Sequence, residues 1–99
     1  MKTTAKAQGL LERIAQIQEM ERGKICKMTG REHFNHQTWD AGHNTVGYVP
    51  REDIEDLQQA IDGYALFTEL TRQYADEIVR LSRIQRAKRS RIRSKNKKP

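Results

Sequence analysis

Cys26, His33, His36 and His43 supply four side chains able to ligate zinc within one short stretch. Their spacing is C-x6-H-x2-H-x6-H, which lacks the closely paired cysteines or histidines of the common zinc motifs. On an extended strand His33 and His36 also point to opposite faces, so they do not converge. No metal site is therefore expected. Cys26 beside a histidine is the arrangement of a nucleophile, but a reactive thiol needs a stabilised thiolate, and Lys24 and Lys27 alone make a poor case for one. Asp53, Asp56 and Asp62 are paired acids on a charge-rich helix, where a solvated face is the ordinary outcome. No glycine-rich phosphate loop is present. The expectation is a protein with no catalytic residue and no cofactor, not an enzyme.

Two other constellations suit binding. The chain ends in RIQRAKRSRIRSKNKKP, and no acid follows Glu77. Residues 1–77 have a net charge of −4 and residues 78–99 one of +10, within an overall +6. A mildly acidic body thus carries a basic arm. Arg83, Arg86, Lys88, Arg89, Arg91, Arg93, Lys95, Lys97 and Lys98 are candidates to neutralise phosphates and release counterions. Five of the nine are arginines, which make bidentate phosphate contacts. Ser90 and Ser94 can add weaker ones. The plainer reading is a solubilising charge run. The second constellation is an amide- and imidazole-rich ribbon: Asn35, His36, Gln37, Thr38, His43, Asn44 and Thr45. Gln37 and Asn44 could read base edges from a ribbon laid in a major groove. The plainer reading makes the ribbon a polar solvent face opposite a core face of Trp39, Val46 and Tyr48.

Three kinds of element must position these residues. Leu10, Ile14, Ile17 and Met20 follow the spacing of one helix face, with Thr3 or Thr4 as cap and Gly23 as stop, which predicts a helix over about 4–22. KICKM, HFNHQTW and TVGYV have strand character, and TGRE and DAGHN are turns between them. They predict a β-hairpin or three-stranded antiparallel sheet that must pack on a helix. Pro50 then opens a helix whose first turn is acidic, as the helix dipole favours. Leu57, Tyr64, Thr71 and Ile78 repeat at seven, and Ala60, Phe67, Tyr74 and Leu81 repeat beside them. The stripe keeps phase across Asp62-Gly63, so Gly63 reads as a tolerated defect costing about 1 kcal/mol relative to Ala. The helix should run from 51 to 86 or beyond, longer than so small a body, so that one end projects or pairs with another chain. Ile78, Leu81 and Ile84 continue the apolar seam there and would suit self-association or a partner helix.

The stretch from His33 to Arg83, with MERGKI ahead of it, YVPRE leading into the long helix and AIDGYALFTEL within it, resembles a set of small uncharacterised bacterial and archaeal proteins. Those proteins are found beside transposases on mobile elements. The resemblance covers about Gln18 to Arg83. It implies an accessory role in mobile-element biology and supplies no activity. Some relatives have a Cys-rich insertion between the early strands. Only Cys26 stands there in this chain, so a shared metal function does not carry over.

Hydrophobic residues make up 35% of the chain and charged residues 32%, too polar for a large core and without the apolar run a membrane span needs. The N-terminal segment has no apolar signal region, and one cysteine forms no internal disulfide, so a reducing, cytoplasmic location is expected. The expected fold is α+β. Residues 1–86 would form a single domain of N-terminal helix, small sheet and long helix, and residues 87–99 a basic, flexible tail. The expected function is non-catalytic binding of nucleic acid, DNA or RNA. The alternative is a protein-interaction subunit that docks a larger nucleic-acid-processing enzyme, or a homodimer, through the long helix.

Overall fold

Thr4 opens the first helix. Its hydroxyl oxygen accepts from the Ala7 N–H at 3.1 Å, satisfying one of the donors that a helix start leaves without a partner. The computed structural model describes residues 3–28 and 33–96. Within them α1 spans Ala5–Ala15, β1 Lys24–Lys27, β2 Phe34–Asp40, β3 His43–Val49 and α2 Ile54–Asn96, with a 3₁₀ turn at Arg51–Asp53. The architecture is α+β, as the sequence pattern predicts. The TGRE turn lies outside the described residues.

α1 is shorter than its apolar spacing suggests. It ends at Ala15, where the Gln16 and Ile17 N–H groups tighten onto the Arg13 and Ile14 carbonyls. The cause is a tertiary bond made by the segment between α1 and β1. The Glu21 N–H donates to the Ala60 carbonyl of α2 at 2.9 Å. In a helix running to residue 22 that N–H would be committed to the carbonyl of Ile17. Instead the segment unwinds and crosses α2 at Gly63. A Cβ on Gly63 would stand 2.2 Å from the Glu19 carbonyl oxygen, so the glycine is what admits the crossing. Gly63 is thus a site of close backbone approach and not a tolerated defect, and α2 passes through it unbroken. Gly23 then turns the chain into β1 at φ +93°, where a Cβ would meet the Gln37 carbonyl.

The sheet is antiparallel in the order β1-β2-β3. Ala41 and Gly42 join β2 to β3 with φ of 50° and 81°, the pair of positive values that matches the strand twist in a two-residue hairpin. β1 lies against α2.

Pro50 and the acids Glu52, Asp53, Glu55 and Asp56 begin the final helical stretch, where the dipole favours negative charge, and the cations gather at its far end. α2 is about 65 Å long at 1.5 Å per residue, in a molecule of 78 × 28 × 19 Å. Residues 87–96, expected as a flexible tail, continue α2 as helix. α1 runs antiparallel along the middle of α2, from Thr4 opposite Glu77 to Ile17 opposite Gly63. The core is small: Ala7, Leu10, Val49 and Leu70 are buried, with Leu70 the largest side chain fully enclosed.

Candidate nucleic-acid interface

The basic arm begins where α1 stops covering α2. Arg80 still belongs to the body. Its Nε donates to Glu77 Oε1 at 2.8 Å, while the Thr4 hydroxyl donates to Glu77 Oε2 at 2.7 Å. Glu77 is only 3% exposed. The Arg80 and Thr4 hydrogen bonds hold its carboxyl down at about 2, against an ordinary 4.5. The N-terminal end of α1, where Thr4 sits, also favours the negative charge. This lock joins residues 73 positions apart. Thr4 is legible in sequence as a cap, but nothing local marks Glu77 as its partner.

Beyond Arg80 the described cations stand free of the body. Arg83, Arg86, Lys88, Arg89, Arg91 and Arg93 are all exposed. Arg89 donates to Gln85 at 3.4 Å, an uncharged neighbour. At 100° per residue these positions fall on all sides of the helix, so the arm is a cationic rod and not a one-faced ribbon. Such a rod suits phosphate contact without sequence readout. Lys95 continues the helix, and Lys97 and Lys98 lie outside the described residues.

The sheet splits the expected polar ribbon, with Asn35, Gln37 and Asn44 on one face and His36, Thr38, His43 and Thr45 on the other, and puts the expected core residues on the open face. Directly paired residues share a face, and faces alternate along each strand. One face therefore holds Ile25, Phe34, His36, Thr38 and Val49. Thr38 and Val49 are buried there, and His36 Nε2–H donates to the Arg22 carbonyl at 2.7 Å. The crossing segment covers this face: Gly23 sits against Thr38. The other face holds Lys24, Cys26, Asn35, Gln37, Trp39, Asn44, Val46 and Tyr48. The expected core triad is on this open side: Trp39 is 66% exposed, Val46 54% and Tyr48 64%. β-propensity and ring size mark these residues as core. The short body, however, has one helix pair and one crossing segment to offer, and the face of Thr38 and Val49 is the one they bury.

Gln37 and Asn44 do share the open face, on either side of Trp39: Asn44 is its direct cross-strand partner and Gln37 lies two residues before it. The Cys26 thiol donates to Gln37 Oε1 at 3.6 Å, which leaves the Gln37 amide N–H groups for other acceptors. The His33 and Tyr48 rings meet in a T-shaped contact, 5.6 Å between centroids. The three histidines are thus dispersed, with His36 on the covered face, His33 against Tyr48 and His43 beside the turn. Among the described residues no three metal-ligating side chains gather.

Arg22 ties the parts together. Its guanidinium lies 5.6 Å from the centre of the Tyr64 ring on α2 and 3.6 Å from Asp40 at the end of β2. The sheet packs near the start of α2 and the arm forms its end. From Ile54 to Arg86 is about 48 Å of helix, so the structure does not bring Gln37 and Asn44 together with the arm. No helix among the described residues is long and apolar enough to cross a membrane. Compared with known proteins, the chain matches no family model, no curated protein and no solved structure.

Proposed function

We propose that this protein is a non-catalytic nucleic-acid-binding accessory protein whose affinity comes from the basic end of α2. The observation that carries the reading is the division of charge along one rigid element. Every acid lies at or before Glu77, and the exposed cations from Arg83 to Arg93 project clear of the acidic body. A body of net charge −4 would repel a phosphate backbone, so the arm must supply the attraction. A place among mobile-element accessory proteins rests on the resemblance over about residues 18–83. A second reading, docking of a protein partner through α2, is favoured by the exposed apolar residues Leu66, Val79 and Ile84 on that helix.

The test is affinity for a duplex probe at several salt concentrations. If five arm cations contact duplex phosphates, the slope of log affinity against log salt is about −4.5. Replacing Arg86, Arg89, Arg91 and Arg93 with Gln should bring it near −1. An unchanged slope would make the arm a solubilising segment and leave the partner-docking reading in its place.

A further inference from the structure

Among the described residues no helix or strand covers the open sheet face, and Trp39, Val46 and Tyr48 stand exposed on it. We propose that it is a stacking platform for the unpaired bases of single-stranded nucleic acid. The proposal rests on the nucleic-acid reading above and assigns to a second surface the task that the arm cannot perform.

The argument begins with what the face displays. Trp39 and Tyr48 are large flat rings exposed over most of their area, on adjacent strands. Tyr48 pairs with Asn35, and Trp39 lies four residues along β2 from Asn35, so the rings sit about 14 Å apart along the strand direction. Gln37 and Val46 lie between them. The rings are thus separate platforms with a hydrogen-bonding amide and an apolar floor between, not one contiguous apolar patch. Amides surround them: Asn44 opposite Trp39, Asn35 opposite Tyr48, and Gln37 in the middle with its N–H groups available. These groups match the edges of bases whose faces lie on the rings.

Charge selects the occupant. Lys24 is the cation on this face and its strand residues include no acid; Asp40 belongs to the opposite face. An anionic strand meets no like charge among these strand residues, and the arm offsets the repulsion of the acidic body. A duplex hides the faces of its bases within the stack, so exposed rings gain little from one. Unpaired bases each offer a π-face, and stacking of that kind tolerates any sequence. The platform is also partly pre-ordered, since Tyr48 is held in a T-shaped contact with His33.

Trp39 is the sole tryptophan of the chain, so its emission reports on the face directly. The experiment titrates the full-length protein with an oligothymidylate and with a duplex of equal length. Saturable quenching by the single strand, and little by the duplex, is expected. Tyr48→Ala should weaken single-strand binding roughly 5- to 150-fold, the range for loss of one stacked base, with duplex affinity and its salt slope unchanged. Trp39→Leu, followed by anisotropy of a labelled oligothymidylate, should show a loss in the same range. Both side chains are exposed, and far-ultraviolet circular dichroism confirms that each variant keeps its fold.

Unaltered Trp39 emission, or single-strand affinity indifferent to both substitutions, overturns the platform while steep salt-dependent duplex binding leaves the arm reading standing. Absence of binding to either probe overturns both. A monomer–dimer equilibrium abolished by Tyr48→Ala would assign the face to a second copy and also overturn the proposal. So would nuclease-resistant recovery of a protein that Tyr48→Ala abolishes.

Discussion

Alanine is a better helix former than glycine by about 1 kcal/mol, so Gly63→Ala in the middle of α2 should stabilise the protein if the helix were all that mattered. The structure predicts the opposite sign. A Cβ at Gly63 would lie 2.2 Å from the Glu19 carbonyl oxygen and 3.5 Å from a methyl of Ile17. Ordinary van der Waals contact begins at 3.4 Å, so the crossing segment must retreat by roughly 1 Å. That retreat pulls the Glu21 N–H off the Ala60 carbonyl, a bond worth about 0.5–1.5 kcal/mol. It also loosens the packing of Ile17, at about 1–3 kcal/mol for an overpacked contact. Against the helical gain, a net loss of about 1–3 kcal/mol remains. Gly9→Ala supplies the control, since Gly9 sits inside α1 and a Cβ there meets nothing within 4 Å. That substitution should gain up to about 1 kcal/mol. In thermal unfolding followed by circular dichroism, each kcal/mol moves Tm by about 4–8 °C in a domain this size. The two glycines should therefore shift Tm in opposite directions. A rise for both would mean that residues 17–21 do not rest on α2 at Gly63, and the account of why α1 stops at Ala15 would fail with it.

Three further outcomes are expected from the geometry. Ala41 holds φ 50°, a region that costs an L-residue about 1–2 kcal/mol and that Asn tolerates better, so Ala41→Asn should raise Tm by a few degrees; a fall would contradict the hairpin turn. The folded-state pKa of Glu77 is depressed to about 2, so its contribution to stability is complete above its ordinary 4.5 and is lost as pH falls from there towards 2. Glu77→Gln should flatten part of the acid limb of a Tm–pH curve. Exposed Glu69, held equally low by Arg72 and Gln73, titrates in the same window, but 1 M salt should screen its share and leave that of Glu77.

The order and type of the elements were legible because each rests on a local signal. A seven-residue stripe carried α2 across Asp62-Gly63, Pro50 marked its start, and Thr4 was visible as a cap. What was not legible depended on residues far apart in the chain. The end of α1 is set by a bond from Glu21 to Ala60, not by any breaker at Ala15. The identity of the sheet's inner face was hidden for a related reason. Alternation divides the strands into two sets but does not say which set a neighbour will cover, and here Gly23 and the crossing segment cover Thr38 and leave Trp39 in water. The run of positive charge was legible, since charge needs no fold to be counted, but its helical form past residue 86 was not. The Glu77 lock was not, because a buried carboxylate looks like any other acid until its partners are placed.

The rigidity of α2 gives the two proposed surfaces a fixed separation, and that has a measurable consequence. Flexible linkers let two sites share a short ligand. A continuous helix of about 48 Å between Ile54 and Arg86 does not. A short probe can engage the arm or the sheet, and its affinity is that of one site. A probe able to span the gap engages both, and the second contact becomes intramolecular. At 3.4 Å per base pair, about 14 base pairs cover the distance, so a duplex of that length carrying a single-stranded overhang reaches from arm to platform. Affinity measured against duplex length, with the overhang held constant, should rise abruptly near that span and by more than added phosphates alone explain. Tyr48→Ala should erase the step and leave the gradual electrostatic rise. A smooth increase in the unaltered protein, with no step for Tyr48→Ala to remove, would show that the arm and the sheet do not act on one strand together.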